Sequence, residues 1–126
     1  MVNCLEKRRA IAYTSHMKTS GLSDNERTAL AKLKKAIEER FDLIDFRVFG
    51  SKARGEAVPE SDVDVMIEIE DYNPLTESAI DELVFKINLE YDCLISVVIF
   101  GRRELEEGPL GESPLYRVIE REGIKV

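Results

Sequence analysis

Two segments in which apolar and polar residues alternate constrain the fold more than any other feature of this sequence. The first, "LIDFRVFG" (43–50), ends at a glycine, and its apolar face carries Ile44, Phe46 and Val48. The second is "DVDVMIEIE" (62–70), whose apolar face carries Val63, Val65, Ile67 and Ile69 and whose other face carries Asp62, Asp64, Met66 and Glu68. Successive side chains of a strand point to opposite faces of a sheet. Both segments are therefore predicted to be strands.

Helical spacing appears on both sides of these strands. "SDNE" (23–26) places a serine three residues before Glu26, which is a capping-box pattern, and apolar residues follow at helical spacing up to Phe41. We predict a helix from Asp24 to about Phe41. "PLTESAIDELVFKINLEY" (74–91) carries a second apolar stripe. "RRELEEG" (102–108) and "SPLYRVIEREG" (113–123) predict two short helices, the second ending at Gly123.

A nearly continuous apolar run, "CLISVVIF" (93–100), predicts a third strand that is central or buried on both faces. The order of elements predicts a small α/β (α+β) domain over residues 23–126, with a mixed three- to four-stranded sheet flanked by helices. Four apolar residues near the C-terminus are assigned to the core in preference to an interface. They are Phe100, Leu110, Leu115 and Tyr116.

Residues 1–22 are assigned to an N-terminal extension or a short helix. The segment allows a helix over Leu5 to Met17, a flexible arm, or sequence upstream of a start at Met17. His16 is expected to be a surface residue. No role in the function is assigned to this segment.

Size and charge limit the function. At 126 residues the chain has room for one ordinary domain. Its net charge of −7 would repel the backbone of DNA or RNA, which argues against an extended nucleic-acid groove. Cys4 and Cys93 match no metal or disulfide spacing and are expected to be free thiols. No apolar run approaches the roughly 20 residues that span a bilayer, and residues 1–21 lack the uninterrupted apolar core of a signal peptide. We therefore expect a cytoplasmic protein without a membrane association.

The pair Asp62 and Asp64 is the first candidate for chemistry. Carboxylates two residues apart on a strand point the same way, with Cα atoms roughly 6.5 to 7 Å apart. Mg²⁺ usually takes one or two protein carboxylates together with substrate phosphates, so the pair suits a nucleotide-metal site. The alternative is that both acids belong to the solvent-facing half of an amphipathic strand, as Glu68 and Glu70 are expected to do. Taken alone, the spacing of Asp62 and Asp64 favours the solvent-facing alternative over a metal site.

Gly50 and Ser51 precede the carboxylates at the end of the neighbouring strand. A glycine lets the backbone approach a phosphate closely, and a serine hydroxyl can bond a phosphate oxygen. Lys52 and Arg54 add positive charge, although Lys52 is expected to lie in a solvated turn and Arg54 could instead bond local carbonyls or acids. The glycines and the Lys-Ser/Thr ending of a Walker loop are absent.

The combined stretch resembles the "GSxARGxxxxxSDxDxxI" signature of the minimal nucleotidyltransferases, in the DNA polymerase beta-like nucleotidyltransferase superfamily. It matches at Gly50, Ser51, Ala53, Arg54, Gly55, Ser61, Asp62 and Asp64. The resemblance implies that Gly50, Ser51 and Arg54 bind a nucleoside triphosphate, that Asp62 and Asp64 hold Mg²⁺ at a catalytic site, and that a nucleoside monophosphate moves from an NTP, ATP being favoured, to an acceptor hydroxyl. It also implies pairing with a helical HEPN-domain protein in a toxin–antitoxin module.

One position departs from the family pattern. Active members usually carry a third carboxylate on the next strand, where Ser96 stands in this sequence. Asp92 lies four residues earlier, roughly 13 Å along an extended strand, and Glu68 lies about as far beyond Asp64. Metal binding is therefore predicted more strongly than turnover.

Two functions remain open at this point. One is a Mg²⁺-dependent nucleotidyltransferase that modifies a hydroxyl of a protein or small molecule. The other is a catalytically weak binding module or antitoxin of the same fold that acts by covering a partner. An aminoglycoside-modifying enzyme would need an acceptor-binding region for which the chain has little room, unless a homo-oligomer builds that pocket between subunits.

Overall fold

The first helix of the fold begins with the predicted capping box. The computed structural model describes residues 21–56 and 61–126. Helix α1 spans Asp24–Arg40, and the Ser23 hydroxyl accepts a hydrogen bond from the backbone N–H of Glu26 at 3.0 Å. The Glu26 carboxylate accepts the Ser23 N–H, also at 3.0 Å. The helix ends one residue before the predicted Phe41, which is the C-terminal cap. The hypotheses on Leu5 to Met17 and on His16 lie outside the described residues.

The remaining elements follow the predicted order with three short additions. Strand β1 spans Leu43–Phe49, β2 Val63–Ile69 and β3 Ile95–Gly101, while helix α3 spans Pro74–Tyr91, α4 Arg102–Glu107 and α5 Pro114–Glu122. The additions are a four-residue helix α2 (Ser51–Arg54), a 3₁₀ turn (Pro109–Glu112) and a two-residue strand β4 (Ile124–Lys125). These pieces are too short to leave a periodic pattern in the sequence.

The strands form one mixed sheet in the order β3-β2-β1-β4. Strand β1 pairs antiparallel with β2 and β4, whereas β2 and β3 run parallel. The predicted mixed sheet is confirmed, but the prediction that β3 is central is wrong, because β2 is central and β3 lies at an edge. Helices cover both faces of the sheet, so even an edge strand needs apolar residues on both sides. The continuous apolar run of β3 is therefore explained by the helices on both faces of the sheet. It does not indicate where in the sheet the strand lies.

Helices α1 and α3 cover one face of the sheet and build the main core. Their buried side chains include Leu33, Ile37, Ile80 and Val84, which pack on the inward-facing residues of β1 and β2. The sheet residues in this core are Phe46, Val48, Val63, Val65, Ile67, Ile69 and Ile95. The apolar face predicted for the second strand packs on these helices, and so does that of the first strand at Phe46 and Val48. The prediction is wrong for Ile44, because the register shifts between Leu43 and Asp45 and Leu43 packs against this core instead.

The opposite face carries a smaller core under α4 and α5. Its buried members are Met66, Phe100 and Ile119, and the rings of Phe100 and Tyr116 meet edge to face with centroids 5.5 Å apart. Leu110 and Leu115 are exposed by 38% and 44%, so only part of the predicted C-terminal core set is buried. Glu68 is also on this face and only 9% exposed, which contradicts its expected place on the solvent-facing half of an amphipathic strand. The covering helices that bury it could not be seen in the local alternation.

No helix within the described ranges is both long enough and apolar enough to cross a bilayer.

Candidate functional site

Gly50 links the end of β1 to the start of α2 in a conformation that only glycine adopts readily. Its backbone angles are φ 77° and ψ −157°. A Cβ atom built on Gly50 would lie 2.6 Å from Oδ2 of Asp64, a distance that real Cβ atoms do not show. The backbone conformation therefore requires a glycine, and the Asp64 carboxylate lies directly against it, where an added side chain would force the carboxylate to move.

Asp64 and Asp62 lie at the beginning of β2, beside that turn. Asp64 pairs with Phe49 of β1 and is half-buried, while Asp62 stands one residue before the strand and is exposed. Burial first, and then the negative charge of Asp62, raise the pKa of Asp64 above its ordinary value. The two carboxylates are thus close enough to repel each other, which is the electrostatic situation that a bound cation relieves.

Helix α2 is a single turn that presents Ser51 directly after Gly50. The backbone N–H groups of Ala53 and Arg54 both donate to the Gly50 carbonyl at 3.1 Å. Gly55 ends the turn in the left-handed region, with φ 75° and ψ 19°. Ser51 is half-buried in this turn, next in sequence to the glycine that contacts Asp64. The turn therefore brings the Gly-Ser pair to the same end of the sheet as the two carboxylates.

Lys52 is buried, so the expectation of a solvated turn is wrong at this residue. It is 2% exposed, and its Nζ lies 3.1 Å and 3.2 Å from the two carboxylate oxygens of Glu26 on α1. The sequence identified Glu26 as a capping residue and gave no sign of this second contact, because the two residues are far apart along the chain. Sequence reasoning missed the pair, and only the packing of α1 against α2 makes it visible.

Arg54 is held by two carboxylates. Its Nε lies 2.9 Å from Glu56 and its Nη1 lies 2.8 Å from Glu122 on α5, and its side chain is 44% exposed. The structure thus places local acids around the guanidinium, as the alternative prediction had it. Binding a phosphate would require Arg54 to exchange at least one of these contacts.

Ser96 lies directly beside Asp64, its partner in the parallel pairing of β2 and β3, and it is exposed. Asp92 is the C-terminal cap of α3, with its backbone in the left-handed region. Glu68 lies further along β2, where its Oε2 is 3.9 Å from Nε of Arg102. In the described part of the chain, no group of three or more His, Cys, Asp or Glu side chains is placed to hold one metal ion. Neither Asp92 nor Glu68 therefore supplies a third ligand for Asp62 and Asp64 in this arrangement.

The donor set at this end of the sheet fits Mg²⁺. It offers two carboxylates, one exposed and one half-buried, and Mg²⁺ commonly takes one or two protein carboxylates while keeping water and substrate oxygens as its other ligands. Burial, and then the charge of Asp62, raise the pKa of Asp64, and a cation bound here would offset both effects. A nucleotide would have to bring the remaining negatively charged oxygens.

Comparisons with known proteins agree with the predicted fold and family. A solved structure titled "Structure of putative minimal nucleotidyltransferase" superposes with a TM-score of 0.57 at 25% identity, over 82% of this chain and 97% of that one. "Putative protein adenylyltransferase MJ1379" of Methanocaldococcus jannaschii is 38% identical over 55 residues, which cover 44% of this chain and 55% of that protein. "Protein adenylyltransferase MntA" of Thermococcus cleftensis is 47% identical over 38 residues, 30% of this chain and 38% of that protein.

The matched regions span little more than half of the first of these relatives and less than half of the second. The match to a family model is more extensive, since the model of the nucleotidyltransferase domain covers residues 30–126. Both the predicted fold and the predicted family are confirmed. The chain belongs to the nucleotidyltransferase domain family.

Proposed function

We propose that this protein transfers AMP from ATP to a hydroxyl group of a protein. The acceptor hydroxyl oxygen would attack the α-phosphorus and lose its proton to water, the bond from that phosphorus to the bridging oxygen would break, and pyrophosphate would leave. The observation that carries the proposal is the contact between Gly50 and the Asp64 carboxylate. It places the turn that we propose to bind phosphate directly beside a carboxylate proposed to hold the metal. The names of the two adenylyltransferase relatives support AMP as the group transferred.

Each residue at the site has a role in this proposal. Gly50 lets the triphosphate approach the backbone, and the Ser51 hydroxyl donates to a phosphate oxygen. Asp62 and Asp64 would hold Mg²⁺, which when bound supplies charge neutralisation for the phosphates during transfer. Arg54 would contact a phosphate only after leaving Glu56 or Glu122. The main contribution of the chain is to position the nucleotide, since phosphoryl-type transfer depends largely on positioning and electrostatics.

A second candidate function follows from Ser96. The position beside Asp64 carries a neutral hydroxyl, so no described carboxylate there could take the proton of the acceptor. A chain of this kind could bind nucleotide and act mainly as a binding module, for example as the antitoxin that covers a helical HEPN-domain partner. Assembly into a homo-oligomer and a cytoplasmic location stay predictions under either function.

Label transfer separates the two functions. The purified protein is incubated with ATP labelled at the α-phosphate, Mg²⁺ and a helical protein encoded beside it. The transferase proposal expects label on the partner, and expects none with the Asp62→Asn, Asp64→Asn double variant. Formation of a stable complex without label, with ATP bound, would favour the binding module. If ATP does not bind with or without Mg²⁺, both proposals are wrong.

A further inference from the structure

The ion pair between Lys52 and Glu26 is the most deeply buried charged contact among the described residues. The two side chains are 3% and 10% exposed, and Nζ of Lys52 lies 3.1 Å from the nearer carboxylate oxygen. Lys32 and Glu90 form another ion pair between two helices, at 2.9 Å, but each is about half exposed. The two pairs have similar geometry and differ in burial, which makes the exposed pair a matched control.

Stability alone does not explain why a short chain buries such a pair. Removing two charges from water costs more than their attraction often returns, and apolar replacements of buried pairs are often neutral or stabilising. What a buried pair does impose is a defined geometry, because each charge must meet its partner. The question is therefore which part of the molecule this pair fixes.

The pair fixes the turn that follows β1. Glu26 is itself held by the capping box at the start of α1, a 17-residue helix whose next turns are anchored in the core through Ala29 and Leu30. Lys52 lies two residues after Gly50, in a helix of only four residues. A second contact acts on the same residue, since the backbone N–H of Gly21 donates to the Lys52 carbonyl at 2.7 Å. The turn is thus tied to α1 through the side chain of Lys52, and to the segment just before α1 through its backbone carbonyl.

We propose that Lys52 and Glu26 are positioning residues that hold Gly50 and Ser51 against Asp64 for nucleotide binding, an inference that rests on the proposed function. The turn stands directly against the carboxylate, since the Cβ position of residue 50 lies 2.6 Å from Oδ2 of Asp64. With only four residues, helix α2 depends on contacts with other elements to keep this distance. Neither Lys52 nor Glu26 touches the nucleotide in this proposal.

The test uses the full chain with two double variants. In Lys52→Met with Glu26→Gln, both charges are removed while the glutamine oxygen can still accept the Ser23 N–H. In Lys32→Met with Glu90→Gln, the exposed pair is removed in the same way. Each protein is measured for its urea midpoint, for amide hydrogen exchange over residues 50–55, and for its affinity for ATP with Mg²⁺. If the double variant does not fold, Lys52→Arg serves, because it keeps a positive charge opposite Glu26 while changing the geometry of the contact.

The buried-pair variant is expected to keep a urea midpoint close to that of the wild type, to exchange the amides of residues 50–55 faster, and to bind ATP with Mg²⁺ about 10- to 100-fold more weakly. The exposed-pair variant should change none of these. Unchanged exchange and affinity in the buried-pair variant would overturn the positioning role. Should the wild type fail to bind ATP, the proposed function is wrong, and the exchange measurement still decides whether the pair orders the turn.

Discussion

Oδ2 of Asp64 occupies the space that a side chain on Gly50 would need, with 2.6 Å between that oxygen and the Cβ position of residue 50. Gly50 directly follows β1, whose last residue, Phe49, pairs with Asp64 of the antiparallel β2. The turn after β1 therefore lies directly against the first carboxylate of β2. This relationship makes the geometry of the site sensitive to a single methyl group.

Gly50→Ala is expected to damage both the fold and the site. The alanine would have to adopt φ 77°, ψ −157°, a strain of roughly 1 to 3 kcal/mol, and its Cβ would displace the Asp64 carboxylate. Urea unfolding should show the stability loss, and calorimetry should show weaker binding of ATP with Mg²⁺. In a protein that already carries Asp64→Ala, the same change should cost less stability, because only the backbone strain remains. Equal costs in both backgrounds would contradict the steric interlock.

ATP binding is expected to depend on Mg²⁺ and on both aspartates. Asp62→Asn with Asp64→Asn removes the carboxylates proposed to hold the cation and should weaken ATP binding in the presence of Mg²⁺ at least about tenfold. Asp71→Asn, at an exposed position beyond the end of β2, removes one charge elsewhere and should have little effect. Calorimetry with and without Mg²⁺ checks the prediction. Equal ATP affinity with and without the cation would speak against a metal at this site.

The raised pKa of Asp64 predicts how stability depends on pH. Because burial and the charge of Asp62 raise this pKa, the folded protein binds the Asp64 proton more tightly than the unfolded chain does. Ionised Asp64 thus destabilises the fold at neutral pH, and this cost disappears as the pH falls through the folded pKa toward the unfolded value near about 3.9. Without divalent cations, Asp64→Asn should be more stable than the wild type at neutral pH, with the advantage shrinking toward pH 4.

Urea unfolding across this pH range checks that sign. Mg²⁺ with ATP at neutral pH should stabilise the wild type and leave the Asp64→Asn variant nearly unchanged, since only the wild type has the full carboxylate pair. An Asn variant that is less stable than the wild type at neutral pH would show that the ionised carboxylate has a favourable partner.

Much of the fold could be predicted because the regular elements are long and periodic. Helix α1 begins at the predicted Asp24, after a capping box that the four residues from Ser23 to Glu26 specify locally. Strand β2 shows the expected alternation on its Val63 face. The position of a strand in the sheet depends on how distant segments pair and cannot be read from the strand's own residues. The apolar run of β3 therefore suggested a central strand, although β3 lies at an edge.

The candidate site likewise has one part that could be predicted from the sequence and one part that could not. The spacing of Asp62 and Asp64 and the neighbouring Gly-Ser pair could be recognised in the sequence, because the motif is contiguous. The burial of Lys52 against Glu26 depends on the packing of α1, and the contact of Arg54 with Glu122 depends on α5. Because Lys52 is buried and not in a solvated turn, Lys52→Ala would leave Glu26 buried without its partner, so its main effect should be on folding.

Ser96→Asp is expected to raise turnover if this chain is a transferase. Ser96 is exposed and lies beside Asp64, so an aspartate there would add a third carboxylate to the pair. Its exposure keeps the stability loss of the metal-free protein below about 1 kcal/mol. A base for the acceptor proton should speed label transfer at least about tenfold, whereas Ser78→Asp, at an exposed position on α3, should not. Unchanged transfer with intact binding of ATP and Mg²⁺ would mean that the missing carboxylate does not limit the reaction.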